Sequence, residues 1–262
     1  MDEGAIGSIH DPVTDYVPEL ADRDARFSEI TLRHLLTMSS GLRWNERGLP
    51  WSDDAETYYG TDLRQVAISD TEIVGPPGVS FVYNPYNTLL LGLVLERSTE
   101  QSVSDYNGER TLGADGYIGK GSWSLDSEDG FEKMESGLNG QAMDMALLGL
   151  VYLHKGELNG TNIIPRQWIE EATAATTKTY PSTAYQYQWW TYRTDELGNW
   201  FVAPGQQRSV HCRVPFEEPR DSPIRNRFPV TRTGRSCWVR WPWPSDARGS
   251  PGTRARRIGL TL

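Results

Sequence analysis

The chain has 262 residues, enough for one large domain or two modest ones, and 37% of them are apolar. No apolar run approaches the roughly eighteen residues that a membrane-spanning helix needs, and the acidic N-terminus lacks the apolar stretch of a secretory signal. With only two cysteines and no CxxC spacing, we expect no multi-disulfide framework and no CxxC metal site, and the four histidines form no HExxH pair, which excludes a zincin.

The net charge of −9 averages two unlike parts of the chain. Residues 1–204 hold 14 Lys+Arg against 31 Asp+Glu, whereas residues 205–262 hold 12 Arg, no Lys and 4 acidic residues. The second part is rich in Pro, Ser and Trp and shows no hydrophobic period longer than a few residues. We therefore predict a folded domain over 1–204 and a disordered Arg/Pro-rich tail over 205–262. A nucleic-acid arm, with Arg and Trp supplying charge and stacking, is the alternative interpretation of the tail.

Apolar spacing and end signals predict four helices in the first 204 residues. Thr31 serves as N-cap of the first, Gly156 ends the third, and Pro165 begins the fourth. Aromatic and β-branched residues then predict two strands. The helices are Leu32–Met38, Asn87–Arg97, Gln141–Lys155 and Arg166–Ala172, and the strands are Tyr185–Tyr192 and Trp200–Ala203, joined by a turn at Asp195–Asn199.

No complete catalytic motif is present in the sequence. There is no GxSxG nucleophile elbow, and the glycine-rich run Gly113–Gly121 fails as a P-loop because Gly121 follows Lys120 where Ser or Thr is needed. The chain has four lysines, and the residues three positions before them are Tyr, Gly, Tyr and Ala, so no Ser-x-x-Lys exists.

Several blocks in a fixed order resemble the serine beta-lactamase-related hydrolases, which include class C beta-lactamases, DD-peptidases, esterases and 6-aminohexanoate-dimer hydrolases. The most informative are ITLRHLLTMSSGLRWNE (Ile30–Glu46), PPGVSFVYNPYNTLLLGLVLE (Pro76–Glu96) and YQYQWW (Tyr185–Trp190). The YNP and WSLD details are most similar to the dimer-hydrolase branch. Further blocks are Asp11–Leu20, Trp123–Asp126, Glu135–Leu153 and Asn159–Thr173, so that the resemblance covers residues 1–204.

The resemblance implies an α+β fold of the beta-lactamase/penicillin-binding-protein type, with an antiparallel sheet, flanking helices and a mostly helical subdomain. In this chain we expect an incomplete version of that fold, with the helical subdomain and a remnant of the sheet, namely one hairpin. The family site takes a small-molecule amide or ester and implies no metal and no organic cofactor. Nucleic-acid binding is not expected, and localisation stays open.

The chemistry implied by the resemblance is acyl transfer through a serine nucleophile, helped by a lysine three residues on and by a tyrosine that moves the proton. Tyr83 matches that tyrosine and is the catalytic candidate. Pro85 departs from the family pattern, where Ser or Asn is usual, so the polar contact from that position is not expected here. Because the serine and lysine are absent, we expect this chain to be inactive as a hydrolase.

Two sequence events explain the departures. The family serine lies upstream of the stretch that matches Asp2-Glu3-Gly4, so Met1 is expected to be an internal methionine of a longer ancestor. With suitable codons, a shift of one base from Gly205 onward reads GNSGQYIVE, which resembles the glycine-rich strand that the family has at that place. We therefore expect a frameshift after about residue 204.

Other interpretations remain open at this stage. The chain is either an inactive remnant of a hydrolase, a non-catalytic binding protein that keeps the substrate cleft, or a protein whose Arg-rich tail binds nucleic acid. Ser39 and Ser40 are expected to cap or turn the chain rather than to act as nucleophiles. Asp144 is expected to be structural, and alternation along a strand places Trp189 and Trp190 on opposite faces of a sheet.

Overall fold

A computed structural model describes residues 1, 3–46, 52–108, 121–174, 177–180, 183–194, 198–204, 209–213 and 236–240. The chain divides into two compact units, Met1–Gln141 and Ala142–Leu262. This division differs from the predicted boundary between residues 204 and 205.

The first unit is mainly helical. Its longest described helix, α5 (Pro85–Thr99), is buried along the side formed by Leu89, Leu90 and Leu93, which pack with Phe27 and Leu35 in the core of this unit. The α-helices are α1 (Glu19–Arg23), α2 (Leu32–Leu36), α3 (Asp53–Tyr59), α4 (Leu63–Ser69), α5 (Pro85–Thr99) and α6 (Val103–Asn107), with 3₁₀ turns at Val13–Asp15 and Ala25–Glu29 and a short pair of strands, β1 (Ser122–Trp123) and β2 (Leu138–Asn139).

Local signals set the ends of α2. Thr31 forms a capping box with His34, as its predicted N-cap role requires. The helix ends two residues earlier than predicted, and Met38 takes a positive φ of 55°. Gly41 has a φ of 77°, and a Cβ there would collide with the carbonyl oxygen of Gly75. Only glycine therefore lets these two loops approach so closely.

The described part of the second unit combines two helices, α7 (Ala142–Leu153) and α8 (Arg166–Ala172), with an antiparallel sheet of six strands, whose order across the sheet is the reverse of their order along the chain. Trp189 and Phe201 are buried in this sheet, and their rings contact Tyr152 of α7. The elements are α7 (Ala142–Leu153), β3 (Glu157–Leu158), β4 (Thr161–Asn162), α8 (Arg166–Ala172), β5 (Thr177–Tyr180), β6 (Thr183–Gln186), β7 (Trp189–Thr194), β8 (Gly198–Pro204), β9 (Ser209–Arg213) and β10 (Ser236–Arg240).

The prediction of one strand over Tyr185–Tyr192 is wrong, because this segment crosses a hairpin. β6 and β7 pair through Gln186 and Trp189, and the turn between them is Tyr187-Gln188, with φ values of 41° and 71°. Two-residue hairpin turns favour Asn and Gly, which tolerate positive φ. Tyr and Gln carry no such signal, so the sequence alone did not reveal this turn.

Two segments of the predicted tail are strands, so the expectation of a wholly disordered tail is wrong for them. β9 pairs with β8 and with β10. Each of the two five-residue segments, SVHCR and SCWVR, contains valine and no proline, which suits pairing with a neighbouring strand. A composition average over 205–262 hid them among Pro-rich neighbours. For the rest of the tail, which lies outside the described residues, the expectation of disorder stays a prediction.

Among the described residues, no helix is long and apolar enough to cross a membrane.

Candidate functional site

Tyr83 lies in the loop that leads into α5, between two residues that are tied to the chain after α2. On one side, the Val82 amide donates a hydrogen bond of 2.9 Å to the Met38 carbonyl. On the other side, the Asn84 side chain donates to the carbonyls of Leu42 and Arg43, each at 3.2 Å. The backbone at Tyr83 is therefore fixed from both directions.

Asn84 also begins α5. Its Oδ1 accepts a hydrogen bond of 2.9 Å from the Tyr86 amide, and only 1% of the residue is exposed. Asparagine is among the best N-caps, and here the same side chain joins the helix start to the preceding loop. The sequence analysis missed this positioning role, although Asn followed by Pro at the first helical position is a helix-start signal.

Pro85 occupies the first position of α5. Proline suits that place because its fixed φ is helical and the missing N–H would have no partner inside the helix. The departure at Pro85 is therefore compatible with the start of α5, and the loss of the polar contact expected from this departure stays a prediction.

The Tyr83 side chain is 45% exposed, so a small molecule can reach it. Partial burial raises the pKa of its phenol above the ordinary value, because water no longer fully stabilises the phenolate. The negative charge of the Glu46 carboxylate raises this pKa further. A phenol with a raised pKa stays protonated at neutral pH and is suited to donating a proton or a hydrogen bond. Acting as a base would require a nearby cation instead.

The remaining candidates, Ser39, Ser40 and Asp144, make contacts that are typical of structural residues. Ser40 is 2% exposed, and its Oγ accepts a weak hydrogen bond of 3.4 Å from the Leu42 amide. Ser39 is 8% exposed, with its Oγ 2.8 Å from the hydroxyl of Thr37. Both contacts agree with the predicted turn role. Asp144 lies buried in the first turn of α7. A carboxylate there interacts favourably with the positive end of the helix dipole.

Other blocks of the resemblance hold the first unit together rather than perform chemistry. The Asp11 carboxylate accepts hydrogen bonds from the Tyr16 hydroxyl at 2.7 Å and the Ser8 amide at 2.8 Å, and these bonds hold its pKa below the ordinary value. Asp126 accepts from the amides of Leu63, at the start of α4, and Phe131. The bond from Leu63 to Asp126 joins segments that are distant in sequence, whereas the bonds of Asp11 are local.

The described residues contain no cluster of three or more His, Cys, Asp or Glu side chains arranged to hold a metal ion.

Comparison with known proteins agrees with the resemblance. The family described as Beta-lactamase matches residues 2–215, which extends beyond the last block of resemblance. The 6-aminohexanoate-dimer hydrolase of Paenarthrobacter ureafaciens is 27% identical over 224 residues, covering 72% of this chain and 53% of its own length. The chain thus spans about half the length of this curated relative.

Solved structures show the same fold. A protein from Bacillus anthracis, provisionally assigned as a 6-aminohexanoate-dimer hydrolase, superposes with a TM-score of 0.71 at 23% identity, over 81% of this chain and 59% of its own. A penicillin-binding protein from Bacillus halodurans gives 0.60 at 20% identity, over 80% and 71%. The predicted α+β class is confirmed, and the match over most of the sequence shows that the chain belongs to the beta-lactamase family of serine hydrolases.

Proposed function

We propose that this chain carries the proton-handling tyrosine of an acyl-transfer hydrolase for a small amide or ester, and that this polypeptide alone forms no acyl-enzyme. The observation that carries the proposal is the placement of Tyr83. Its backbone is anchored on both sides and its side chain is accessible. The resemblance of the block Pro76–Glu96 to the family is what matches Tyr83 to the family tyrosine.

The electrostatics of Tyr83 support the second half of the proposal. In the acyl-transfer mechanism, a lysine cation beside the tyrosine would lower the phenol pKa and let it accept the serine proton. Here no lysine in the sequence follows a serine by three residues. Among the described residues, the charge that acts on Tyr83 is the Glu46 carboxylate, which adds to the effect of burial in raising the pKa of this phenol. Tyr83 is then a proton donor that has no activated nucleophile in this chain to assist.

Hydrolysis of nitrocefin and of p-nitrophenyl acetate tests this proposal. Three proteins are compared: the natural chain, Tyr83→Phe, and Tyr59→Phe as a matched control at an exposed tyrosine of α3. All three should hydrolyse both compounds at the background rate of the buffer. A faster rate in the natural chain that Tyr83→Phe lowers and Tyr59→Phe leaves unchanged would overturn the claim of inactivity.

A second candidate, a binding protein without turnover, is favoured by the exposed apolar surface beside Tyr83. Val79 is 72% exposed and Val82 is 42% exposed, and both precede Tyr83 in the same loop. An alkyl amide has an apolar chain for such a surface and a carbonyl that can accept a hydrogen bond from a phenol. Titration with the 6-aminohexanoate dimer, followed through the Tyr83 ring resonances, tests this candidate. A saturable shift without hydrolysis supports it, and the absence of any shift contradicts it.

A further inference from the structure

The two cysteines of the chain lie directly opposite each other in neighbouring strands. Cys212 of β9 pairs in register with Cys237 of β10, and the strands are antiparallel. These are the only cysteines in the 262-residue sequence. The sequence alone does not predict that these two cysteines lie together, because residues 213–236 separate them along the chain.

This register brings the two backbones within the range that a disulfide requires. Directly opposite residues in an antiparallel pair have Cα atoms about 4.5 or about 5.5 Å apart, depending on the hydrogen-bonding position. Disulfides span Cα separations of about 4.4–6.8 Å. Both kinds of position meet this Cα requirement, and the non-hydrogen-bonded kind, whose opposite Cβ atoms lie closer, also approaches the Cβ separation of about 3.5–4.5 Å that a disulfide needs. Opposite residues also share a face of the sheet, so the pair has the same-side placement that a bridge needs.

The line of residues that pair in register across the sheet runs from Cys237 through Cys212 to a buried residue of β8. Cys212 pairs in register with Phe201 of β8, which is 3% exposed and contacts Tyr152 of α7. Helix α7 packs against both β9 and β10. A bridge at this position would tie β10, the outermost strand of the described sheet, to β9 and through β9 to the buried Phe201.

We propose that Cys212 and Cys237 form an intramolecular disulfide when a disulfide oxidant such as oxidised glutathione is present. The thiolate of one cysteine attacks the glutathione disulfide, forming a mixed disulfide and releasing one glutathione thiolate. The thiolate of the other cysteine then attacks the protein sulfur of the mixed disulfide and releases the second glutathione. The protein loses two protons and two electrons, and the oxidant is reduced to two thiols.

The bridge closes a loop through residues 213–236 and restrains the separation of β9 from β10. A cross-link that joins distant parts of a chain stabilises the folded state mainly by restricting the unfolded one. Oxidation is therefore expected to raise the resistance of β10 to local opening. Hydrogen exchange of the β10 amides reports this change, which should be absent in Cys237→Ser.

Trypsin makes the bridge directly visible. Cleavage after Arg208, Arg213, Arg235 and Arg240 releases the two strands as the peptides SVHCR and SCWVR. The full chain is equilibrated in glutathione buffers of known ratio, trapped with acid, alkylated and digested without reductant. The expected product is the linked peptide pair from monomeric protein, with the mass of the intact oxidised chain lower by two hydrogens.

The dependence on the fold separates this proposal from chance oxidation. The same equilibration in guanidinium chloride measures the effective concentration of the two thiols in the unfolded chain, which for a flexible connection is of millimolar order. We expect the folded chain to exceed that value by at least about tenfold. A ratio within about twofold, a separate mixed disulfide on each cysteine, or a covalent dimer as the main product would each overturn the proposal.

Discussion

Replacement of Asn84 by alanine tests whether this residue holds the loop of Tyr83 in place. The substitution removes the N-cap bond to the Tyr86 amide, which costs about 1 kcal/mol. It also removes the side-chain amide that donates hydrogen bonds to the carbonyls of Leu42 and Arg43. A buried acceptor left without a hydrogen bond costs about 1–3 kcal/mol. Because the Arg43 bond is only partly buried, we expect a total loss near 3 kcal/mol in the free energy of unfolding.

Asn84→Ser separates the cap from the two carbonyl contacts. Serine keeps a neutral oxygen that can cap α5 but has no amide to donate to the two carbonyls, so its cost should be near ~2 kcal/mol. Glu128→Ala, at an exposed loop residue, is the control and should change stability by less than about 0.5 kcal/mol. Urea unfolding followed by circular dichroism measures all three, and hydrogen exchange of the Tyr86 amide reports the helix start locally. An Asn84→Ala cost no larger than that of the control would refute the positioning role.

Three further predictions concern titration and the gene. The phenol of Tyr83 should titrate at higher pH than a free tyrosine, and Glu46→Gln should bring it down because a negative charge is removed; NMR of labelled tyrosine measures both. Burial raises the pKa of Glu56, and the negative charge of Asp70 raises it further. The contribution of Glu56 to the free energy of unfolding is therefore fully present at low pH and is lost as the pH rises through that raised pKa. Glu56→Gln should therefore stabilise the chain at neutral pH, and an unchanged or lower urea midpoint would contradict this. Finally, sequencing the gene after the codon for Pro204 should show that a one-base shift reads GNSGQYIVE; any other shifted reading excludes the frameshift.

The sequence predicted best where local chemistry decides the structure. Helix α8 begins and ends at the predicted residues, and Thr31 caps α2 as expected, because the side chains that set these ends are adjacent in sequence. The hairpin turn at Tyr187-Gln188 was missed because pairing between β6 and β7 forces positive φ on residues that do not favour it. Tertiary pairing overrides local preference there.

The candidate site shows the same division. The resemblance makes Tyr83 the catalytic candidate, a role that stays a prediction, but the bonds that hold its loop join Asn84 to residues some forty positions earlier. No pattern in the sequence connects them. The strands β9 and β10 were missed for a related reason, since each becomes regular only by pairing with a strand distant in the chain. Long-range partners are therefore what separates the prediction from the structure.

The central proposal is that Tyr83 is the family tyrosine and that this polypeptide alone forms no acyl-enzyme. Intact-protein mass spectrometry after incubation with nitrocefin and with a reactive acyl ester tests it most directly, because an acyl-enzyme adds the mass of the acyl group to one residue. The natural chain and Tyr83→Phe should both keep their unmodified masses after gel filtration. A stoichiometric adduct on a serine of the natural chain, reduced in Tyr83→Phe, would contradict the account.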